Sequence, residues 1–257
     1  MALCATMDFA LSLRLTGAVA AALALSGAAA GQAFAQSASP LMQGLLADFH
    51  NGEAAKQYAT PDGALRFVLD RSGGRIALLR LEGDPEVHVL RPVAGAGGDE
   101  LYRTENGRIV LRLTPHGGIT IYTRNNQAGA AAAEEREVAP LAPQAAPPSI
   151  YQARLRDVQA DATRRLGRPV AFEAPPTAGA AASGLMLDAA ERAAEAIVRA
   201  QGDLIRRVVF VVGPEPIAMV RGDTLIVQVV PAMGYAGRPS SMVITGVVQR
   251  ANQGPER

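Results

Sequence analysis

The stretch from Phe67 to Arg124 constrains the fold more than any other, because its short alternating runs are written twice. Gly74-Arg75-Ile76-Ala77-Leu78-Leu79-Arg80-Leu81 is answered by Gly107-Arg108-Ile109-Val110-Leu111-Arg112-Leu113. Alternation with period two sends successive side chains to opposite faces of a strand. It predicts strands over 66–70, 75–82, 86–91, 100–103, 108–114 and 119–123. Ser72-Gly73-Gly74, Gly83-Asp84-Pro85, Glu105-Asn106-Gly107 and His116-Gly117-Gly118 lie between them and supply turn chemistry. The copies align at an offset of 33 residues through Ile76/Ile109 and 32 from Leu79/Leu111 onward. That register pairs Val68 with Leu101, Leu69 with Tyr102, Val87 with Ile119 and Val89 with Ile121 as inward positions. A duplicated three-strand unit is one reading, and chance recurrence of Gly-Arg-Ile in a β-rich chain is the other.

The second half changes character. From Asn125 to Pro148 the composition turns to Ala, Glu and Pro, which reads as a linker with a brief helix over 128–138. Ser149 and Gln152 resemble a capping pair, and Tyr151, Leu155, Val158 and Ala162 then share a helical face until Gly167. A second helix runs from about Leu185 to Ala200, with a small-residue stripe at Ala190, Ala193, Ala194 and Ile197. Val208 to Val212 is apolar at every position and predicts a strand buried on both faces. Crossover chemistry would set it parallel to Val170–Phe172. Ile217–Val220 and Leu225–Val230 read as a hairpin, and Met242–Val248 as a last strand. The fold class is therefore expected to be α+β: a six-stranded antiparallel β-meander, with tandem duplication as one explanation, followed by a helix-covered mixed β-sheet. The chain would divide into 1–35, 36–60, 61–128, 129–148, 149–251 and 252–257: leader, short helical segment, meander, linker, α/β region and tail.

Thr16 to Ala30 is uncharged and small or apolar, follows Arg14, and precedes Ala33-Phe34-Ala35. This is the pattern of a cleaved secretory signal, cut near Ala35-Gln36, with Met7 as an alternative initiator and a retained anchor as the competing reading. The only cysteine, Cys4, lies in that leader, so the mature chain would carry no thiol and no disulfide. The expected location is the periplasm or the exterior, with no transmembrane segment once the leader is removed. A formal charge of +1, from 25 basic and 24 acidic residues, provides no general field for nucleic acid. No Trp and an aromatic content of 4% argue against a stacking platform.

Catalytic signatures are sparse. Lys56 has no Ser-x-x-Lys partner, and no Gly-x-Ser-x-Gly or His-Glu-x-x-His occurs. Neither His50, His88 nor His116 has a second ligand at metal spacing, so neither metal nor cofactor is expected. His88 alternates with Val87 and Val89 and should lie on the face away from them. Arg221-Gly222-Asp223 is a turn sequence before it is an adhesion motif. The loop with the clearest binding chemistry is Gly234 to Ser241. Arg238, Ser240, Ser241 and Tyr235 could hold a carboxylate or phosphate there, and a plain connection between two strands is the competing reading.

Four motifs carry a family likeness: Phe67-Val68-Leu69-Asp70-Arg71-Ser72, Leu79-Arg80-Leu81-Glu82-Gly83, Gly117-Gly118-Ile119-Thr120 and Gly237-Arg238-Pro239-Ser240-Ser241. Together they resemble an uncharacterised family of exported Gram-negative bacterial proteins defined as a domain of unknown function, over nearly the whole mature chain. The resemblance implies an exported protein and supplies no activity, cofactor or catalytic residue. The sequence favours a non-enzymatic binding or accessory module with a protein or envelope component as partner. The alternative is an envelope hydrolase using paired carboxylates, for which facing acids of raised pKa would be the sign.

Overall fold

The computed structural model describes residues 54–176 and 179–254, which fall within one compact unit. The leader, Cys4, His50 and most of the predicted N-terminal helical segment lie outside the described residues. The first half is not a six-stranded meander but a closed eight-stranded antiparallel barrel. Its strands are β1 (Lys56–Ala59), β2 (Arg66–Asp70), β3 (Ala77–Leu81), β4 (Val87–Ala94), β5 (Glu100–Arg103), β6 (Ile109–Leu113), β7 (Ile119–Ile121) and β8 (Ala130–Glu137). Six strands would leave two open edges. β1 and β8 remove both by pairing with each other, Lys56 against Glu137 and Ala59 against Ala133. Across that ladder Lys56 donates to Glu134 at 2.8 Å and Gln57 to Glu135 at 2.7 Å.

Tyr58, Phe67, Leu69, Ala77, Leu79, Leu90, Tyr102, Leu111, Ile119 and Ile121 form the barrel's core cluster. Eight strands leave a lumen that side chains can fill or that can admit one small ligand. The register corrects the inward positions expected for the third strand of the repeat. Leu79 pairs with His88 and Ala77 with Leu90, whereas Leu111 pairs with Ile121 and Leu113 with Ile119. Partners across an antiparallel ladder share a face, so His88 and Leu90 face inward on β4, and Val87 and Val89 face out. One residue of slip exchanges the two faces. On the first two strands Leu69 and Tyr102, like Leu79 and Leu111, lie in the core, whereas Val68 and Leu101, also expected inward, pair with Arg80 and Arg112 on the other face.

The second half is a four-stranded sheet in the order β11-β12-β10-β9, made of β9 (Ala171–Glu173), β10 (Arg207–Val212), β11 (Ile217–Arg221) and β12 (Thr224–Val229). β10 runs parallel to both β9 and β12, and β11 is an antiparallel edge. Helices α1 (Pro148–Leu166), α2 (Ala180–Arg199) and α3 (Ser241–Asn252) share a core with Val208, Phe210, Leu225, Val227 and Val229. Those strand residues all lie on one sheet face. The other face, with Val209, Val211, Met219 and Ile226, is partly exposed. β10 is therefore not buried on both sides. Met242–Val248, expected as a strand, lies inside α3, where Ile244 and Val248 fall four apart and are both fully buried. No helix among the described residues is long and apolar enough to cross a membrane.

Candidate functional site at the barrel mouth

Four loops gather at one end of the barrel: residues 60–65, 82–86, 104–108 and 122–129. The segment from Pro231 to Met242 packs on two of them. Pro231–Gly237 forms a 3₁₀ turn, after which Ser240 caps α3 by accepting from the Val243 amide at 3.3 Å. A helix N-terminus presents unpaired amides and a partial positive charge. Two barrel carboxylates meet it. Glu86 accepts from the Ser241 amide at 2.9 Å and from the Ser241 hydroxyl, and Glu105 accepts from the Ser240 hydroxyl at 2.7 Å.

Arg238 completes this seam. Its side chain is wholly buried and donates to Asp188 through Nε, to Glu86 through Nη1 at 3.5 Å and to the Val87 carbonyl through Nη2 at 3.0 Å. The guanidinium lies 5.7 Å from the centroid of the Tyr235 ring. Burial pushes the Asp188 carboxyl up by more than Arg238 and Arg192 pull it down, and burial likewise raises the Tyr235 phenol. Gly237 is required by contact, since a Cβ there would lie 2.0 Å from the Val230 carbonyl oxygen.

Above the seam lies a cavity of about 380 Å³, within the ~300–1,000 Å³ typical of small-ligand sites. Leu79, Leu81, Val89, Val110 and Ile121 give it apolar walls; Ser240, Ser241 and Met242 enter from the start of α3, and Glu195 and Arg199 from the end of α2. Of the four residues expected to form a ligand loop, Ser240 and Ser241 line the cavity, while Arg238 and Tyr235 sit behind it. The carboxylates that Arg238 holds are the protein's own, and the loop connects a strand to a helix.

His88, Arg108 and Arg124 also line the cavity and were not among the expected site residues. The sequence pattern places His88 on the face away from Val87 and Val89, and the pairing of His88 with the core residue Leu79 reverses which of those faces is inward. His88 Nε2 lies 3.0 Å from the Asp84 carboxylate, and this contact holds Asp84 below its ordinary pKa. Each acid of the lining is engaged: Asp84 with His88, Glu86 with Ser241 and Arg238, Glu105 with Ser240, and Glu195 with Arg192 at 2.9 Å and with Arg199. No group of three or more His, Cys, Asp or Glu among the described residues is placed to hold a metal ion. The site can enclose an apolar body and offer cations at its rim, while the serine hydroxyls and the Ser241 amide there are held by Glu86 and Glu105.

No curated protein and no solved structure matches the chain. A family profile matches residues 41–248, and the chain belongs to that family, DUF4908, a domain of unknown function.

Proposed function

We propose that this protein is a non-enzymatic binding or accessory module of the cell envelope, exported by its N-terminal leader, and that it holds a small ligand at the barrel mouth. The observation that carries this reading is the 380 Å³ cavity, whose walls are apolar and whose acids are all engaged by other protein groups. Carboxylate catalysis of glycan cleavage needs one acid held protonated and a second left ionised beside it. Asp84, one of the lining acids, is held below its ordinary pKa, the opposite of what a general acid requires. The leader-like residues 1–35 and the confinement of cysteine to Cys4 support export. Ser240 and Ser241 serve as rim contacts, and Arg238 with Tyr235 holds them in place.

The test uses the mature chain and a Met242→Trp variant, which fills the mouth from a half-buried position at the start of α3. Both are passed through envelope extract, and bound small molecules are identified by mass spectrometry. A compound that accompanies the wild type and is lost from a normally folded variant is the expected result. Recovery of nothing, or of the same compound by both proteins, would overturn the reading.

A further inference from the structure

Two arginines at the cavity rim differ from every other charge of the lining. Arg108 precedes β6 and Arg124 follows β7. Neither side chain makes an ion pair or hydrogen bond with another described residue, and both are exposed. The β6–β7 ladder pairs Leu113 with Ile119, Arg112 with Thr120 and Leu111 with Ile121. The Tyr122 amide then donates to the Val110 carbonyl at 2.8 Å. Continuing that register sets Arg108 opposite Arg124. Like charges in opposed positions repel, and no carboxylate compensates them. Arg199, the remaining cation of the lining, is occupied by Glu195 and Ser241.

The same two arginines border a second groove lined by Leu101, Ile109, Tyr122 and Thr123, so they stand between two apolar surfaces. A guanidinium fork matches the geometry of a carboxylate or phosphate. Anions of this kind, carried on an apolar chain, would satisfy both features: the chain lies against Leu79, Leu81, Val110 and Ile121, and the head group bridges the two forks. We propose that the barrel mouth binds amphiphilic anions, with Arg108 and Arg124 as the head-group site. This rests on the binding-module reading above and gives its ligand a chemical class.

The test displaces an apolar fluorescent dye from the folded mature protein with decanoate, decyl phosphate and decanol. Both anions should bind at least about tenfold more tightly than the alcohol, and the advantage should shrink as salt is raised. In the double variant Arg108→Gln/Arg124→Gln that advantage should vanish while decanol affinity stays as in the wild type, which also shows that the variant is folded. A preference between decanoate and decyl phosphate separates a fatty-acid-like ligand from a phospholipid-like one. Equal binding of decanol and the anions by the wild type, or an undiminished preference in the double variant, would overturn the head-group site and leave the binding module standing. Failure of the dye and all three compounds to bind would overturn both.

Discussion

Arg238 shows how a side chain with ligand-binding chemistry is used internally. Its three donor nitrogens reach two carboxylates and a carbonyl from different segments of the chain. Deleting one partner of a buried pair strands the others without solvent, which costs ~3–5 kcal/mol. Arg238→Met should therefore lower the unfolding free energy obtained from urea titration by an amount in that range. Arg238→Lys should recover little of it, because an ammonium cannot reproduce the planar fork. Acid sensitivity belongs to Asp84. Its folded-state pKa is depressed below the ordinary 3.8, chiefly by the His88 hydrogen bond. The folded state thus takes up a proton less readily than the unfolded chain, and this contribution is full above about pH 4 and is lost as pH falls through the folded value. Asp188 is shifted upward and acts with the opposite sign, favouring the folded state as acid protonates it. Unfolding free energy followed from pH 6 downward should fall less steeply in Asp84→Asn than in the wild type, with the wild type the more stable above the carboxylate range and the two converging at low pH.

Among the elements, β8 and α3 show what local pattern conceals. Ala130–Glu137 reads Ala-Ala-Ala-Ala-Glu-Glu-Arg-Glu, a composition with strong helical preference. It is a strand because β1 and β7 supply ladders on both sides. β1 is only four residues long and too short for alternation to register. In α3 the β-branched run Met242 to Val248 imitates a strand. The Ser240 cap and the four-residue spacing of Ile244 and Val248 decide otherwise, and the serine was the readable clue. The meander strands β2 to β7 were legible because one face is core and the other is not. The cavity was legible only in Ser240 and Ser241, since His88, Arg108 and Arg124 come together through barrel closure, which no local window records. Entry into β8 depends on Gly129, at φ +86°, where a Cβ would lie 2.6 Å from Thr120 Cγ2 and 2.7 Å from Tyr122 Cε1. Gly129→Ala should cost ~1–3 kcal/mol and lower the melting temperature. Gly117→Ala, at φ +83° with nothing within 4 Å, should cost only the ~1–2 kcal/mol of left-handed backbone.

At the scale of the molecule, the two cores hold most of the stability, and the seam fixes where they meet. Each wholly buried large apolar side chain, such as Phe67, Leu111, Leu185 or Phe210, contributes ~1.5–3 kcal/mol, whereas a buried ion pair roughly breaks even against its desolvation. The polar groups at Glu86, Glu105, Asp188 and Arg238 therefore act mainly on placement. The connection between the halves is anchored in passing: the Asp70 carboxylate accepts from the Leu141 amide at 2.6 Å, and Gly184 leaves room for the Gln144 carbonyl. Closure of the barrel also has a temporal side. Lys56 meets Glu137 far along the chain, so the ladder that removes both free edges cannot form until β8 has been made, and contacts of such long separation form slowly. The roof of the cavity arrives later still, with Ser240 to Met242. The walls of the cavity are thus made before its roof, and a chain ending before Ser240 would carry the barrel side of the mouth without its cover.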